Sequence, residues 1–226
     1  MTAIVDLSPT VPHGFRGPPS TDVGVRLEAR TKPGYWQSSQ ASMSVHTGCH
    51  VESELHVIEG GRTIDAVPLD RVIGSALVLD LTPVAPRALI EPEALDAALA
   101  ATDDELRPGD VVLLRTDWAS QALGTPGYFR LSPALSLEAA EWLVAHRPRC
   151  VGCDFFEEPV ARDPGWEAPE FVVHRALLGA GIPLVEGLVG LEKLPPRCEF
   201  FAPFFKFGGI EAAPARAFAI VPEGGS

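Results

Sequence analysis

Nothing in this chain reads as a membrane span, a secretory leader or a basic arm, and each absence removes a class of function. No segment approaches the roughly 20 consecutive apolar residues that a helix needs to cross a bilayer. The start, Met1-Thr2-Ala3-Ile4-Val5-Asp6, has no charged leader followed by an apolar core, so a cytoplasmic location is the default expectation. Positive charge is scarce: 18 Lys and Arg against 30 Asp and Glu give a formal net charge of −12. A phosphate-binding surface needs a basic patch and none is visible as a run, so no nucleic-acid partner is expected. Cysteine is sparse as well, with four in 226 residues, far from the density of a disulfide scaffold. Cys150-Val151-Gly152-Cys153 has redox-motif spacing, but it lies in a strand-like apolar run rather than at a helix start, which favours inert packing. No low-complexity linker divides the chain, and 46% hydrophobic content over this length can bury a substantial core. One domain spanning 1–226 is therefore expected.

What is present alternates between strand-like and helix-like runs. Ser75–Leu81, Asp110–Arg115, Cys150–Cys153, Pro183–Val185 and Ala217–Val221 read as short buried strands. Glu91–Leu99 has an acidic first turn, a proline near its start and alanine-rich helix formers, and Ser136–Val144 opens on a capping residue. Pro169–Leu178, ended by Gly179, reads as a third helix. The pattern predicts a layered α/β fold. Phe15, Tyr35 and Trp36 fall in loop-like stretches rich in Gly, Pro and Ser, where they line a substrate pocket or anchor a subunit interface. The Phe200–Phe207 run is too short to span a membrane and reads as core or pocket wall.

The densest chemistry is His46-Thr47-Gly48-Cys49-His50-Val51-Glu52-Ser53-Glu54-Leu55-His56, which holds three of only six histidines. Imidazole nitrogen and carboxylate oxygen suit zinc, manganese or a similar divalent ion. An extended strand would put His46 and His50 about 13 Å apart, too far to share an ion. A helical turn or compact loop brings them within about 6 Å, and Gly48 between them permits the turn. On that geometry Glu52 is the third ligand and His56 is placed for proton transfer. Glu54 is a fourth ligand, a second base or a partner that orients a histidine. The competing expectation is an amphipathic strand, since Val45, Cys49, Val51, Leu55 and Val57 alternate with polar residues that could face water. A Cys49 nucleophile is disfavoured because the neighbouring carboxylates oppose a thiolate.

These residues resemble the cyclase family of metal-dependent hydrolases, of the kynurenine formamidase and isatin hydrolase kind. The family hallmark His-x-Gly-Thr-His-x-Asp-x-Pro-x-His is matched at His46, Gly48, His50 and His56. Val5-Asp6-Leu7-Ser8, Gly60-Gly61, Val67-Pro68-Leu69, Gly74–Leu81, Val151-Gly152-Cys153-Asp154 and Ala213-Pro214-Ala215-Arg216 look similar to other family elements, so the likeness spans nearly the whole chain. It implies a swivelling β/β/α fold of mixed sheets with flanking helices. It also implies that His174 and Glu186 complete a second metal position or position the substrate. Three departures stand out: Glu52 for the usual aspartate, Glu54 for proline and Cys49 for threonine.

The expected chemistry is metal-assisted attack on a carbonyl, with an ion on His46, His50 and Glu52, His56 moving the proton and Glu54 as a second catalytic carboxylate. The substrate class is an amide, formamide, lactam or lactone of a small cyclic or aromatic molecule. Ring closure through an enolate, as in a polyketide cyclase, is the alternative chemistry, and a catalytically silent metal-binding protein is the alternative class. Phe15, Trp36 and Asp154 are the expected substrate contacts, although Asp154 also suits a structural carboxylate capping nearby backbone. His13 and His146 have no convergent neighbours and read as surface or packing residues. The likeness and the exposed amino-terminal aromatics together suggest a homodimer or homotetramer.

Overall fold

The apolar runs become the middle of one mixed sheet in the computed structural model, which describes residues 1–19, 23–160, 165 and 167–222. The first strands are β1 (Thr2–Asp6), β2 (Arg26–Lys32), β3 (Trp36–Ser42) and β4 (His50–Glu52). Next come β5 (Ile73–Asp80), β6 (Leu89–Ile90), β7 (Val111–Arg115), β8 (Ala134–Leu135) and β9 (Cys150–Cys153). The last are β10 (Leu184–Glu186), β11 (Arg197–Phe201), β12 (Ala212–Pro214) and β13 (Phe218–Pro222). Helices are α1 (Pro92–Ala100), α2 (Trp118–Ala122), α3 (Tyr128–Leu131), α4 (Leu137–His146) and α5 (Val172–Gly179).

Among the described residues, nine strands form a single sheet in the order β1-β13-β11-β5-β7-β9-β10-β4-β12. The central β5, β7, β9 and β10 run parallel, and antiparallel strands extend both flanks. Parallel strands are covered on both faces, which is why they read as continuous Val and Leu runs. Alternation along each strand sorts the side chains into two cores. Leu77, Leu79, Val112, Leu114, Val151 and Leu184 face a helical layer that contributes Leu95, Leu143 and Leu177. Ala76, Val78, Val111, Leu113 and Val185 face the other way, toward Leu7, Ile64 and Leu191.

Local chemistry fits these elements. Pro92 sits in the first turn of α1, where its missing N–H costs nothing. Ser136 caps α4 by accepting a hydrogen bond from the Ala139 N–H at 3.0 Å. Cys150 and Cys153 lie in opposite cores and all four cysteines are free and buried. Burial pushes Cys150 up to about 12 and Cys153 well above its usual value, so the CxxC spacing marks packing rather than redox chemistry. Cys49 belongs to the core opposite the helices, and burial pushes it up to about 11.

Two regions differ from expectation. Tyr35 and Trp36 stand at the turn of a β2–β3 hairpin rather than in a loop, and the two strands pair with each other alone. The phenylalanine run splits: Phe200 is fully buried, whereas Phe205 and Phe207 stack on each other in the open, because β11 ends at Phe201. No helix among the described residues is long and apolar enough to cross a membrane.

Gly152 tests the close packing of the sheet centre. It pairs directly with Leu113 on β7, and an added Cβ would stand 2.7 Å from Leu113 Cδ2 and 2.8 Å from Leu188 Cδ1. Both leucines are fully buried. Gly152→Val should cost about 1–3 kcal/mol through overpacking, seen in chemical denaturation as a lower midpoint at unchanged slope.

Candidate metal centre

Strand β4 is three residues long and wholly buried between β10 and β12. Val51 points into the core opposite the helices, so alternation turns His50 and Glu52 toward the helical side. Glu186 on β10 is the cross-strand partner of His50 and faces the same way. Just upstream, Gly48 adopts φ +67° and turns the chain so that His46 returns to the same spot. That turn rests on backbone alone: a Cβ on Gly187 would sit 2.7 Å from the Gly48 carbonyl carbon, and one on Gly48 would sit 2.8 Å from Val11 Cγ2. Both expectations for this stretch therefore hold in part. The chain is folded locally at His46–Cys49 and extended at His50–Glu52, but the polar face of the strand is buried rather than bathed in water.

Four imidazoles converge on the carboxylate of Glu52. His46 Nδ1 lies 2.7 Å from Oε1, His50 Nε2 3.2 Å and His56 Nε2 3.8 Å from the same atom. From the helical layer, α5 brings His174 Nε2 to 3.3 Å from Oε2. Glu186 joins through His174 at 3.2 Å and His50 at 3.7 Å. His56 arrives on a short 3-10 turn, Glu54–His56, that follows β4 directly.

Three of the histidines have one nitrogen tied down, which leaves the other facing the cluster. His50 Nδ1–H donates to the Gly48 carbonyl at 2.9 Å. His174 Nδ1 is held by Glu158 Oε2 at 3.1 Å, the oxygen that also accepts the Val173 and His174 backbone N–H groups at the start of α5. His46 Nε2 is held by Glu211 Oε1 at 3.0 Å. Carboxylate or carbonyl behind imidazole is the arrangement that orients metal-binding histidines.

The donor set fits a divalent cation. Glu52, Glu157, Glu158 and Glu186 are all buried. Glu52 Oε2, both Glu157 oxygens and Glu158 Oε1 find no hydrogen-bond partner. Buried carboxylates without partners are costly, and a cation relieves that cost. The electrostatics agree: burial by itself would lower His46, yet Glu211 and Glu52 raise it to about 10. Burial would likewise lower His174, but Glu157, Glu158, Glu186 and Glu52 raise it well above 6.5. For Glu52, burial works upward and is outweighed by His56, His174 and His46, which hold the carboxyl well below its usual range. Three overlapping groups place ligand atoms within 4.8 Å of one another: His46, Glu52 and His56; His50, Glu52 and Glu186; and Glu157, His174 and Glu186. Clustered His and Glu residues thus form a divalent-metal site.

A cavity of about 540 Å³ opens on this cluster, with His56 and His174 in its wall beside Phe129, Phe156 and Phe171. A second cavity of about 500 Å³ lies across His46 and Glu186, and Phe15 lines it. Both are of the size that holds a small organic ligand.

Not every expected residue arrives. Glu54 turns away to Arg62, with 3.1 Å between Oε1 and Nη2 and 3.2 Å from Oε2 to the Arg62 N–H, so it neither reaches the ion site nor faces the cavity. Trp36 is half exposed on the hairpin, in neither cavity wall. Asp154 is buried and caps backbone, accepting from Thr116 N–H, Thr116 Oγ1 and Asp117 N–H at 2.8, 2.6 and 2.8 Å. It stands as a structural carboxylate for residues 116–117, not for its own successors. His13 lies at the surface against the Leu27 N–H, and His146 stacks on Trp142. Conversely, Glu157, Glu158 and Glu211 were invisible as site residues. The one local hint was an acidic pair placed directly after the apolar Phe155-Phe156.

The chain matches a family model described as a putative cyclase over residues 5–157. Among solved structures it is similar to isatin hydrolase A from Labrenzia aggregata, with 24% identity over 98% of this chain and 94% of that one at a TM-score of 0.82. A predicted metal-dependent hydrolase from Bacillus stearothermophilus aligns at 27% identity, 97% and 98% coverage and a TM-score of 0.73. A potential metal-dependent hydrolase with cyclase activity aligns at 25% identity, 99% and 100% coverage and 0.74. The mixed sheet with helices on one face is the swivelling β/β/α fold of these proteins.

Zinc or manganese should raise the melting temperature of chelator-stripped protein. At 100-fold excess over its dissociation constant a single bound ion contributes about 2.7 kcal/mol. Differential scanning calorimetry with and without added ion checks this; an unchanged transition would count against the metal site.

Proposed function

This chain belongs to the cyclase family, and on that premise we propose that it is a metal-dependent hydrolase opening an amide, formamide, lactam or lactone bond in a small cyclic or aromatic molecule. The observation that carries it is the convergence of His46, His50, His56 and His174 on buried Glu52 at the wall of an aromatic cavity. Relatives described as isatin hydrolases favour a lactam among these bonds.

In this reading His46, His50 and Glu52 hold a zinc or manganese ion, and His174 with Glu186 completes the acidic side of the site. Such an ion supplies polarisation of a carbonyl and a more acidic water at neutral pH. His56 moves the proton. It is partly exposed at the cavity edge, and its Nε2 lies beyond hydrogen-bonding distance of Glu52. Burial, with His174 and His46 nearby, lowers its pKa against the pull of Glu52. Its neutral imidazole can therefore accept a proton from the attacking water at pH 7 and return it to the leaving nitrogen or oxygen. Phe129, Phe156 and Phe171 exclude water and offer ring faces to an aromatic substrate. Glu211 and Glu158 keep His46 and His174 aimed. Glu54, through Arg62, serves to anchor the turn that carries His56.

Ion-loaded protein should hydrolyse at least one member of a panel of aryl lactams, formamides and lactones. His46→Ala should abolish that turnover together with ion binding at the His46–His50 position. His56→Ala should retain the ion and lose about 10²–10⁴-fold in kcat. Failure of every substrate in the panel, or full activity in His46→Ala, would overturn the proposal. Ring-closed products from poly-β-ketone substrates would point to the cyclase chemistry instead.

The finer assignment of partners and place also belongs to this proposal. A two-stranded hairpin exposed on both faces is marginal by itself in water, and β2–β3 carries Arg26, Arg30 and Lys32 against Glu28 in a chain of net charge −12. Both features support a homodimer or homotetramer in which the hairpin lies on a second copy. Light scattering should then give two or four times 24.1 kDa, and a monomer at micromolar concentration would exclude it. Four free, buried cysteines agree with a reducing compartment such as the cytoplasm.

A further inference from the structure

One buried acid has no task in the hydrolytic scheme. Glu157 is fully buried and both of its oxygens lack a hydrogen-bond partner. Its backbone is clamped: the Glu157 carbonyl accepts from the Leu135 N–H at 2.9 Å, and Ser132 Oγ bonds the neighbouring Phe156 backbone in both directions. The side chain is directed at the cluster, with Oε1 3.5 Å from His174 Nε2. It lines neither cavity, and its Oε1 borders the ion site through His174.

Spacing supports a ligand role. Metal–ligand bonds of about 2.1 Å put neighbouring donor atoms roughly 3.0–3.5 Å apart. His174 Nε2 stands 3.5 Å from Glu157 Oε1, 3.2 Å from Glu186 Oε1 and 3.3 Å from Glu52 Oε2. Glu52 Oε2 likewise has no hydrogen bond and meets His174 only as an ion pair, while its Oε1 serves His46 and His50. The two oxygens of Glu52 thus face two different donor sets. The first is nitrogen-rich, with His46 and His50 beside one carboxylate oxygen. The second has one imidazole and three carboxylates.

We propose that Glu157 is a cation ligand that makes the His174–Glu186 position oxygen-rich, biasing it toward a hard divalent ion, manganese or magnesium, while the His46–His50 position suits zinc. Carboxylate oxygens suit manganese and magnesium, whereas imidazole suits zinc. The inference rests on the hydrolase reading to the extent that Glu52 belongs to the catalytic ion, but it concerns a separate position with its own ligand.

The test uses full-length protein stripped with chelator and dialysed against manganese alone or zinc alone, for wild type and Glu157→Gln. Wild type should take up two manganese ions per chain by elemental analysis, with a spin-coupled EPR signal. Glu157→Gln should take up one, with an isolated six-line signal. Its second affinity should fall by more than the ~10–100-fold that loss of an outer-shell partner costs. Zinc uptake at the first position should be unchanged. Without metal, Glu157→Gln should melt at or above the wild-type temperature, since a buried acid crowded by Glu186 has been replaced by its neutral isostere. Should Glu157→Gln fail to fold, Glu157→Asp serves, because the retracted carboxylate should weaken the second manganese alone. Two manganese ions at wild-type affinity in the folded variant would overturn the proposal. If wild type holds a single ion that His46→Ala removes and Glu157→Gln retains, this inference falls and the hydrolase reading stands. If wild type binds no divalent ion, both fall.

Discussion

Carboxylates packed together out of reach of water repel one another, and the site cannot persist unless positive charge is delivered among them. Here Glu52, Glu157, Glu158 and Glu186 are buried and their nearest cationic neighbours among the described residues are histidines. Imidazoles can meet that demand by taking protons, which is why His46 and His174 are driven upward, or by sharing a metal with the acids. The second solution shares one cation among several acids, while burial with His174 and His46 nearby holds His56 below its usual range. Much of the local architecture follows from that requirement, including the carboxylates behind His46 and His174 that fix which nitrogen faces inward.

The sheet supplies the rigidity this demands. His50, Glu52 and Glu186 stand on two paired strands whose other faces, Val51 and Val185, are sealed into the core opposite the helices. A one-residue slip of β4 would send His50 and Glu52 into that core and Val51 into the acidic cluster, so register is strongly specified. The Gly48–Gly187 contact locks the His46 turn to the strand end that carries Glu186. Helix α5 is fixed by Leu177 and Leu178 in the helical core, and its first turn is capped by the same Glu158 oxygen that orients His174. Helix capping and the orientation of His174 are thus one interaction.

The parts legible in the sequence were those carried by local patterns. The central strands and α1, α4 and α5 follow from apolar runs, capping residues and proline placement. His46, His50, Glu52 and His56 are close enough in sequence for spacing to imply convergence. His174 and Glu186 are twelve positions apart on a helix and a strand, and family likeness rather than periodicity singled them out. Glu157, Glu158 and Glu211 come together only through packing of distant loops, which composition does not encode. Glu54 misled for the opposite reason. It lies among the ligands in sequence, but the 3-10 turn after β4 swings alternate side chains apart and Arg62 offers it a nearer partner. Asp154 likewise answered to unpaired backbone donors at Thr116 and Asp117 rather than to a ligand.

One departure from the family motif, Glu52, bears directly on the cluster. Glutamate at position 52 extends its carboxylate one methylene beyond the usual aspartate, far enough for Oε1 to meet His46 and His50 while Oε2 meets His174. That reach draws His174 and its acidic neighbours into the same electrostatic unit. Glu157 is one of those neighbours: burial and the nearby Glu186 raise its carboxyl well above the usual range, while His174 pulls the other way. A cation held by Glu52, Glu157 and His174, as we propose, would relieve the repulsion between the carboxylates. The longer side chain at position 52 and the buried acid at position 157 therefore meet at one imidazole, that of His174, with Glu54 turned away to Arg62.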